Sequence, residues 1–304
     1  MAGTASLPHV MMRYFTTPSV KAARRSVGWS LFFIFLLYSS APMLATLSKL
    51  SLMDPNLATG IIGKSISEVQ AIDWYQNWNQ ANLMFVSDFN GNGTLELNEF
   101  FMGGKAVVLA TPEIAGLPYV ISGLVAAGGM AAAMSTADGL VVAISNALSH
   151  DIYYKMINPK AETAKRLLIA RILLVLIGFA GATIAALEIQ GILGSVIWAF
   201  DFAMSGLFFP LVLGVWWKRA NAQGAVAGML GGLAAGTAYL IAVRSGYPGF
   251  LDITQLTFGI VGSVVSLVLM IVVSLATKAP DAATQKMVDE VRVPSGKAIL
   301  GRQH

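Results

Sequence analysis

The chain has 304 residues, 56% hydrophobic and only 12% charged, with mean hydropathy +0.67 and a formal net charge of +4. A soluble domain carries about 25% charged residues, so this composition points to a lipid-embedded polypeptide, and the absence of cysteine excludes disulfides, thiolate zinc sites and cysteine nucleophiles. The basic residues cluster at the ends of apolar runs, which argues for membrane topology and against nucleic acid as partner.

In chain order, residues 1–25 open with Gly3-Thr4-Ala5-Ser6-Leu7-Pro8, small and apolar like the broken end of a span, followed by a basic loop. About six stretches then have the length and apolarity to cross a bilayer core of roughly 30 Å as helices. They are Ser26–Leu47, Pro118–Leu148, Leu167–Leu187, Ile192–Trp217, Ala220–Val243 and Leu256–Thr277. The organisation expected is therefore a helix over 26–47, a long outer connection over 48–113, five membrane helices over 114–277 and a polar, mobile tail over 278–304. None of the apolar runs alternates with period two, which speaks against a membrane β-barrel. Ser65–Val86, inside the outer connection, has the polarity of an amphipathic helix, with Val69, Ile72, Trp74, Trp78 and Leu83 available to lie on the membrane surface.

Every second connection is basic. Arg13, Lys21, Arg24 and Arg25 precede the first span, and Lys155, Lys160, Lys165 and Arg166 follow the second. Lys218 and Arg219 follow the fourth, and Lys278, Lys286, Arg292, Lys297 and Arg302 follow the last. The alternate connections carry Asp54, Glu68, Asp73, Asp88, Glu96, Glu99, Glu113, Glu188 and Asp252. The positive-inside rule makes the basic set cytoplasmic, the carboxyl terminus included.

In the second span, Ala132, Ser135 and Thr136 share one helical face at spacings of three and four. A carbonyl freed at Ala132 and the two hydroxyls would offer three hard oxygens to a dehydrated monovalent cation, which needs further ligands from another helix. The competing reading is that both hydroxyls bond carbonyls one turn earlier. Asp138, one turn after Ser135, is either a coupling or proton-relay carboxylate or one paired near the cytoplasmic exit. Asp201, in Trp198-Ala199-Phe200-Asp201-Phe202, either lines the pathway or carries protons, or else pairs with a helical neighbour.

Asp88-Phe89-Asn90-Gly91-Asn92-Gly93-Thr94-Leu95-Glu96-Leu97-Asn98-Glu99 fits the twelve-residue calcium loop. Asp88, Asn90 and Asn92 take its first, third and fifth places, with Thr94 lending a carbonyl, Glu96 ninth and Glu99 closing as the bidentate ligand. Leu95 holds the apolar eighth place, through which paired loops form a short β-bridge, but no second loop is visible. Affinity expected of such a site is weak, on the order of 10⁻⁴ M. The alternative is an Asn/Gly-rich surface turn.

Pro112-Glu113-Ile114-Ala115-Gly116-Leu117-Pro118, Ala131-Ala132-Ala133-Met134-Ser135-Thr136-Ala137-Asp138-Gly139 and Ser145-Asn146-Ala147-Leu148-Ser149-His150-Asp151-Ile152-Tyr153-Tyr154 resemble the sodium:solute symporter family, nearest its cation/acetate branch. Gly3–Phe15 and Ala22–Trp29 are similar to that branch as well, so the resemblance runs over nearly all of Gly3–Thr277. It implies an all-α membrane protein, the second half of a five-plus-five inverted-repeat transporter, with ion and substrate near the bilayer midplane. It also implies that Ala132, Ser135 and Thr136 are the positions giving a sodium ion a carbonyl and two hydroxyls. On that basis residues 2–15 correspond to the last part of a discontinuous helix, and the chain is a fragment whose missing partner is the amino-terminal repeat.

The function expected is sodium-coupled symport of a small monocarboxylate, acetate-like, across the plasma (inner) membrane, with sodium as the coupling ion and calcium as a second candidate ion. A membrane sensor or a calcium-regulated membrane scaffold are the alternatives, although the tail after Thr277 is too short for a kinase. The sequence contains no nucleophile–base–acid arrangement, so no enzyme is expected.

Overall fold

The computed structural model describes residues 2–12, 17–187, 189 and 191–292; Arg13, Glu188, Lys297 and Arg302 lie outside them. The described residues are mostly helical and include six helices long and apolar enough to cross a membrane: Val20–Met53, Tyr119–Ile157, Thr163–Ala186, Ile192–Trp216, Ala222–Arg244 and Gly259–Ala276. The protein is an all-α membrane protein with one small sheet. It divides into two compact units: residues 24–137, and the described residues up to Ala23 together with those from Asp138 onward.

The first short helices are α1 (Ala2–Ala5) and α2 (Pro8–Met12). Helix α3 (Val20–Met53) runs six residues beyond the expected span at each end and contains Pro42. Its apolar side chains from Leu31 to Tyr38 are exposed, as a lipid-facing surface requires. The outer connection folds as α4 (Ile66–Gln70), α5 (Asp73–Gln80), β1 (Met84–Val86), β2 (Phe100–Met102) and α6 (Val107–Ile114).

The single amphipathic helix expected over Ser65–Val86 is thus two short helices and a strand. Ser65 caps α4 by accepting the Glu68 amide, and Ile72 is extended before α5 restarts at Asp73. Val69 is fully buried, and Ile72, Trp74, Trp78 and Leu83 pack around a core of Leu52, Ile61, Tyr75, Met84, Leu95, Ala106, Ala110 and Ile114. The apolar face predicted to meet the membrane turns inward because this domain supplies enough of its own apolar surface to cover it. Asn79 Nδ2 donates to the Met84 carbonyl at 2.8 Å, and the Trp78 indole donates to Glu113 Oε2 at 3.1 Å. Ser48 and Thr111 share a 2.7 Å hydroxyl hydrogen bond that ties the end of α3 to α6.

Helix α7 (Tyr119–Asn146) continues as a π-helical segment over Ala147–Ile157, and Ser145 Oγ donates to the Ala170 carbonyl of α8 (Thr163–Ala186) at 2.8 Å. Next come α9 (Ile192–Ala203), a π turn over Met204–Phe208 and α10 (Phe209–Trp216). Helices α11 (Ala222–Arg244) and α12 (Gly259–Ala276) form the tightest contact. Gly224, Gly228, Gly232 and Gly236 recur every fourth residue on the buried face of α11, and Gly262, Ser266, Met270 and Ser274 do so on α12. Small residues at this spacing let the two backbones approach closely, as in membrane helix pairs. A side chain at Gly232 would place its Cβ 2.7 Å from Ser266 Cβ and 3.0 Å from the Gly262 carbonyl.

The described part of the tail contains a helix, α13 (Ala282–Arg292). Asp281 Oδ1 accepts the Thr284 amide at 3.0 Å and starts it. Lys218 pairs with Asp289 at 2.8 Å, and Arg292 Nε donates to the Val215 carbonyl at 2.9 Å, so polar contacts hold the helix to the end of α10.

Candidate functional site

Small residues dominate the middle of α7, and Ala132, Ser135 and Thr136 sit there on an unbroken helix with all three exposed. Thr136 Oγ1 donates to the Ala132 carbonyl at 3.3 Å. That is the one-turn-back bond described above as the competing reading, and it brings two of the predicted ligand oxygens together. The Ala132 carbonyl is therefore not released by a break in the helix; any ion must use its remaining lone pair. A helical face with one carbonyl and two hydroxyls suits a hard monovalent cation but leaves its shell incomplete, and among the described residues no cluster of three His, Asp or Glu side chains gathers to complete it. Asp138 is exposed further along α7, and among the described residues it has no ion-pair partner.

Asp201 is positioned differently. It lies near the end of α9 with Gly259, the first residue of α12, directly against it: a Cβ on Gly259 would stand 2.8 Å from Asp201 Oδ1. The Asp201 carboxylate thus lies directly against the Gly259 backbone, and its Oδ2 is buried without a partner among the described residues. Ser205 Oγ donates to the Asp201 carbonyl at 2.7 Å, and Ser205 is itself packed under Gly236 and Gly262. Of the alternatives for Asp201, the pairing with a helical neighbour is the one with a visible contact. Gly259 and Ser205 were missed by sequence reasoning; the four-residue glycine spacing of α11 was the available signal for this close-packed region.

In the outer unit, the loop 88–99 closes on itself. Asp88 accepts the amides of Gly91 at 2.8 Å and Gly93 at 3.0 Å, Asn90 Oδ1 that of Asn92 at 2.9 Å, and Asn92 Oδ1 that of Thr94 at 2.7 Å. Gly91 and Gly93 take φ of 72° and 71°, backbone conformations that glycine adopts without strain. Glu96 Oε1 accepts from the side-chain amides of Asn90 at 3.1 Å and Asn92 at 3.2 Å. Glu99 is fully buried, its two oxygens accepting the Phe89 amide at 2.9 Å and the Glu96 amide at 3.0 Å. The side chains thus brace the turn, and an ion bound by all six positions would have to displace amide partners of Glu99. The β-bridge falls one residue before Leu95 and within the same chain, Ser65 against Thr94, while the Leu95 amide donates to the Lys64 carbonyl at 2.8 Å and its carbonyl accepts the Gly63 amide at 2.8 Å. Residues 63–66 stand where a second loop would, a pairing that no local motif in the sequence announced.

Residues 105–232 match the sodium:solute symporter family model. An uncharacterized symporter of Cupriavidus necator is 44% identical over 256 residues, covering 84% of this chain and 36% of the relative. The monocarboxylic acid transporter of Corynebacterium glutamicum is 27% identical over 233 residues, 76% of this chain and 35% of that protein. The chain spans about a third of the length of these relatives. The matched segment runs from Lys105 through α7 to the middle of α11 and so contains the hydroxyl pair and Asp201. Over residues 105–232 this chain is similar to the sodium:solute symporter family, and the similarity to the Cupriavidus necator symporter extends beyond that segment.

Proposed function

We propose that the chain forms part of a sodium-coupled symporter for a small, acetate-like monocarboxylate, residing in the plasma (inner) membrane with its carboxyl terminus cytoplasmic. The Ala132 carbonyl and the hydroxyls of Ser135 and Thr136 are ligands of the sodium ion. The observation supporting this reading is that the Ala132 carbonyl, Ser135 and Thr136 share one face of a membrane-length helix inside the segment that matches the symporter family. Three oxygens do not complete the shell of a bare alkali ion, so the remaining ligands come from other helices of the same transporter, those of its amino-terminal repeat. The monocarboxylate is supported by the similarity to the monocarboxylic acid transporter of Corynebacterium glutamicum. Alternating access between two membrane faces then couples ion and solute movement, with Asp138 and Asp201 as coupling carboxylates. Sodium-driven acetate uptake into liposomes by the full-length transporter carrying these residues tests the reading. Uptake that persists unchanged after Ser135→Ala and Thr136→Val together refutes it.

A second role is proposed for the outer domain: Asp88, Asn90, Asn92, Thr94, Glu96 and Glu99 bind calcium and stiffen the loop. The wrapped turn with glycines at the two reversals favours it. Under a calcium-regulated scaffold or sensor, the alternative function, Asp88→Asn with Glu99→Gln would abolish activity; under symport they only modulate it.

A further inference from the structure

The C-terminal turns of α3 carry two cavities of about 350 Å³ each. One lies along the helix, lined by Ala45, Thr46, Lys49, Leu50 and Met53. The other continues past the helix end into the outer domain, where Lys49 and Met53 meet Ile62, Leu97, Phe100 and Met102. Lys49 and Met53 line both, so the two cavities adjoin along one face of α3 as a trough whose lining includes a single lysine. Its walls are otherwise apolar except for Thr46, whose hydroxyl is turned onto the Pro42 carbonyl at 2.8 Å. Leu50, Met53 and Leu97 form an open rim, 55%, 41% and 56% exposed.

Lys49 has no carboxylate within ion-pair distance among the described residues. Asp54, one turn away at the helix end, is occupied: its Oδ1 accepts the backbone and side-chain amides of Asn56 at 2.9 and 3.0 Å. Four residues of helix separate Lys49 from the last residue of α3, roughly 6 Å of rise, which puts the ammonium at the boundary between the apolar span and the polar domain. A cation at that depth beside an open apolar trough matches an amphiphile whose anionic head lies at the interface and whose chain lies along the helix. A free short-chain acid has no chain to occupy the trough. The unbranched Met53 and Met102 side chains adapt to a flexible acyl chain.

We propose that this trough binds an anionic phospholipid of the surrounding bilayer, with Lys49 on its phosphate and one acyl chain along Ala45, Leu50 and Met53. The assignment depends on α3 spanning the membrane and not on the transport reading. To test it, the full chain is extracted from vesicles of mixed phosphatidylglycerol and phosphatidylcholine, and retained lipids are counted by native mass spectrometry. Phosphatidylglycerol is retained in preference to phosphatidylcholine. Lys49→Gln lowers that preference about fivefold, the contribution of one cation near a lipid headgroup, and Lys49→Arg keeps it. Ala45→Phe, which fills the lower trough without touching the charge, lowers retention of both lipids. Inorganic phosphate in excess does not displace the lipid. Equal retention of the two lipids by the unaltered chain, an unchanged preference in Lys49→Gln, displacement by free phosphate, or a lipid-free dimer closing over this face would each overturn the proposal. The unaltered chain supplies the lipid comparison and the phosphate competition, so a variant that failed to fold would still leave it decided.

Discussion

The carboxylate of Asp201, inside a membrane span, lies against the backbone amide of Gly259, the first residue of the neighbouring helix α12. The exposed amides at a helix start carry partial positive charge, so the carboxylate stands where a cap is needed, Phe258 supplying no side-chain cap. A charge that would be expensive in lipid is placed where the fold offers a donor. Asp201→Ala is expected to destabilise the chain by about 0.5–2 kcal/mol, the usual cost of losing a cap, in a detergent unfolding titration. Asp201→Asn keeps an acceptor oxygen and should recover most of that. If Asn restores stability while transport by the full-length protein stays lost, Asp201 acts through its charge as well as through its cap.

The contact between α11 and α12 depends on missing side chains. Gly232→Ala drives a methyl group into the Ser205 carbonyl and Ser266, and should cost about 1–3 kcal/mol as an overpacking change. Gly214→Ala, with open space around its Cβ, should stay within roughly 0.5 kcal/mol of the parent. Equal unfolding curves for the two variants would contradict the packing described.

Thr136→Val preserves shape and removes the hydroxyl that faces the Ala132 carbonyl. Thr136 is exposed and its one described bond is local, so folding should be nearly unchanged. Apparent sodium affinity in the full-length transporter should fall about tenfold or more, the scale of a lost ligand to a charged partner, about 1.5–3 kcal/mol. Uptake rates measured against sodium concentration give the answer.

Glu99 joins two roles that can be separated. Its burial and two amide partners mean that Glu99→Ala destabilises the outer domain by about 1–3 kcal/mol, with or without metal. Asp88→Asn, at an exposed position, should leave the fold intact and weaken calcium binding from an expected dissociation constant on the order of 10⁻⁴ M. Tryptophan fluorescence of Trp74 and Trp78 during calcium titration and chelation reads both.

The tail helix has a defined acid response. Hydrogen bonding to Thr284 holds the Asp281 carboxyl below the usual carboxylate range. A depressed folded-state pKa stabilises the capped helix above the ordinary aspartate value of about 3.9 and withdraws that support as pH falls below it. A spin label at Gln285 should therefore gain mobility on acidification through that window. Asp281→Asn should flatten the part due to this group, leaving whatever the Lys218–Asp289 pair adds.

Much of the architecture was legible in the residues. Six apolar runs, the hydroxyl pair of α7 and the turn at Asp88–Glu99 follow from composition, period and glycine placement, because each is specified within one helix or one loop. The outer domain was read less well. Val69 and Trp78 have the same amphipathic spacing whether they face a membrane or a protein core, and only the arrival of Met84, Leu95 and Ala110 from elsewhere in the chain decides between them.

The sequence by itself determined that this is a helical membrane protein with Ala132, Ser135 and Thr136 on one face of α7, since apolarity over span length and local hydroxyl spacing are one-dimensional properties. Tertiary structure alone decided that Asp201 lies against the start of α12, that residues 63–66 bridge the Asp88–Glu99 loop, and that α13 is anchored to the end of α10. Each of these depends on a partner roughly thirty to eighty residues distant, and no periodicity in a linear chain specifies which distant group a given residue will meet.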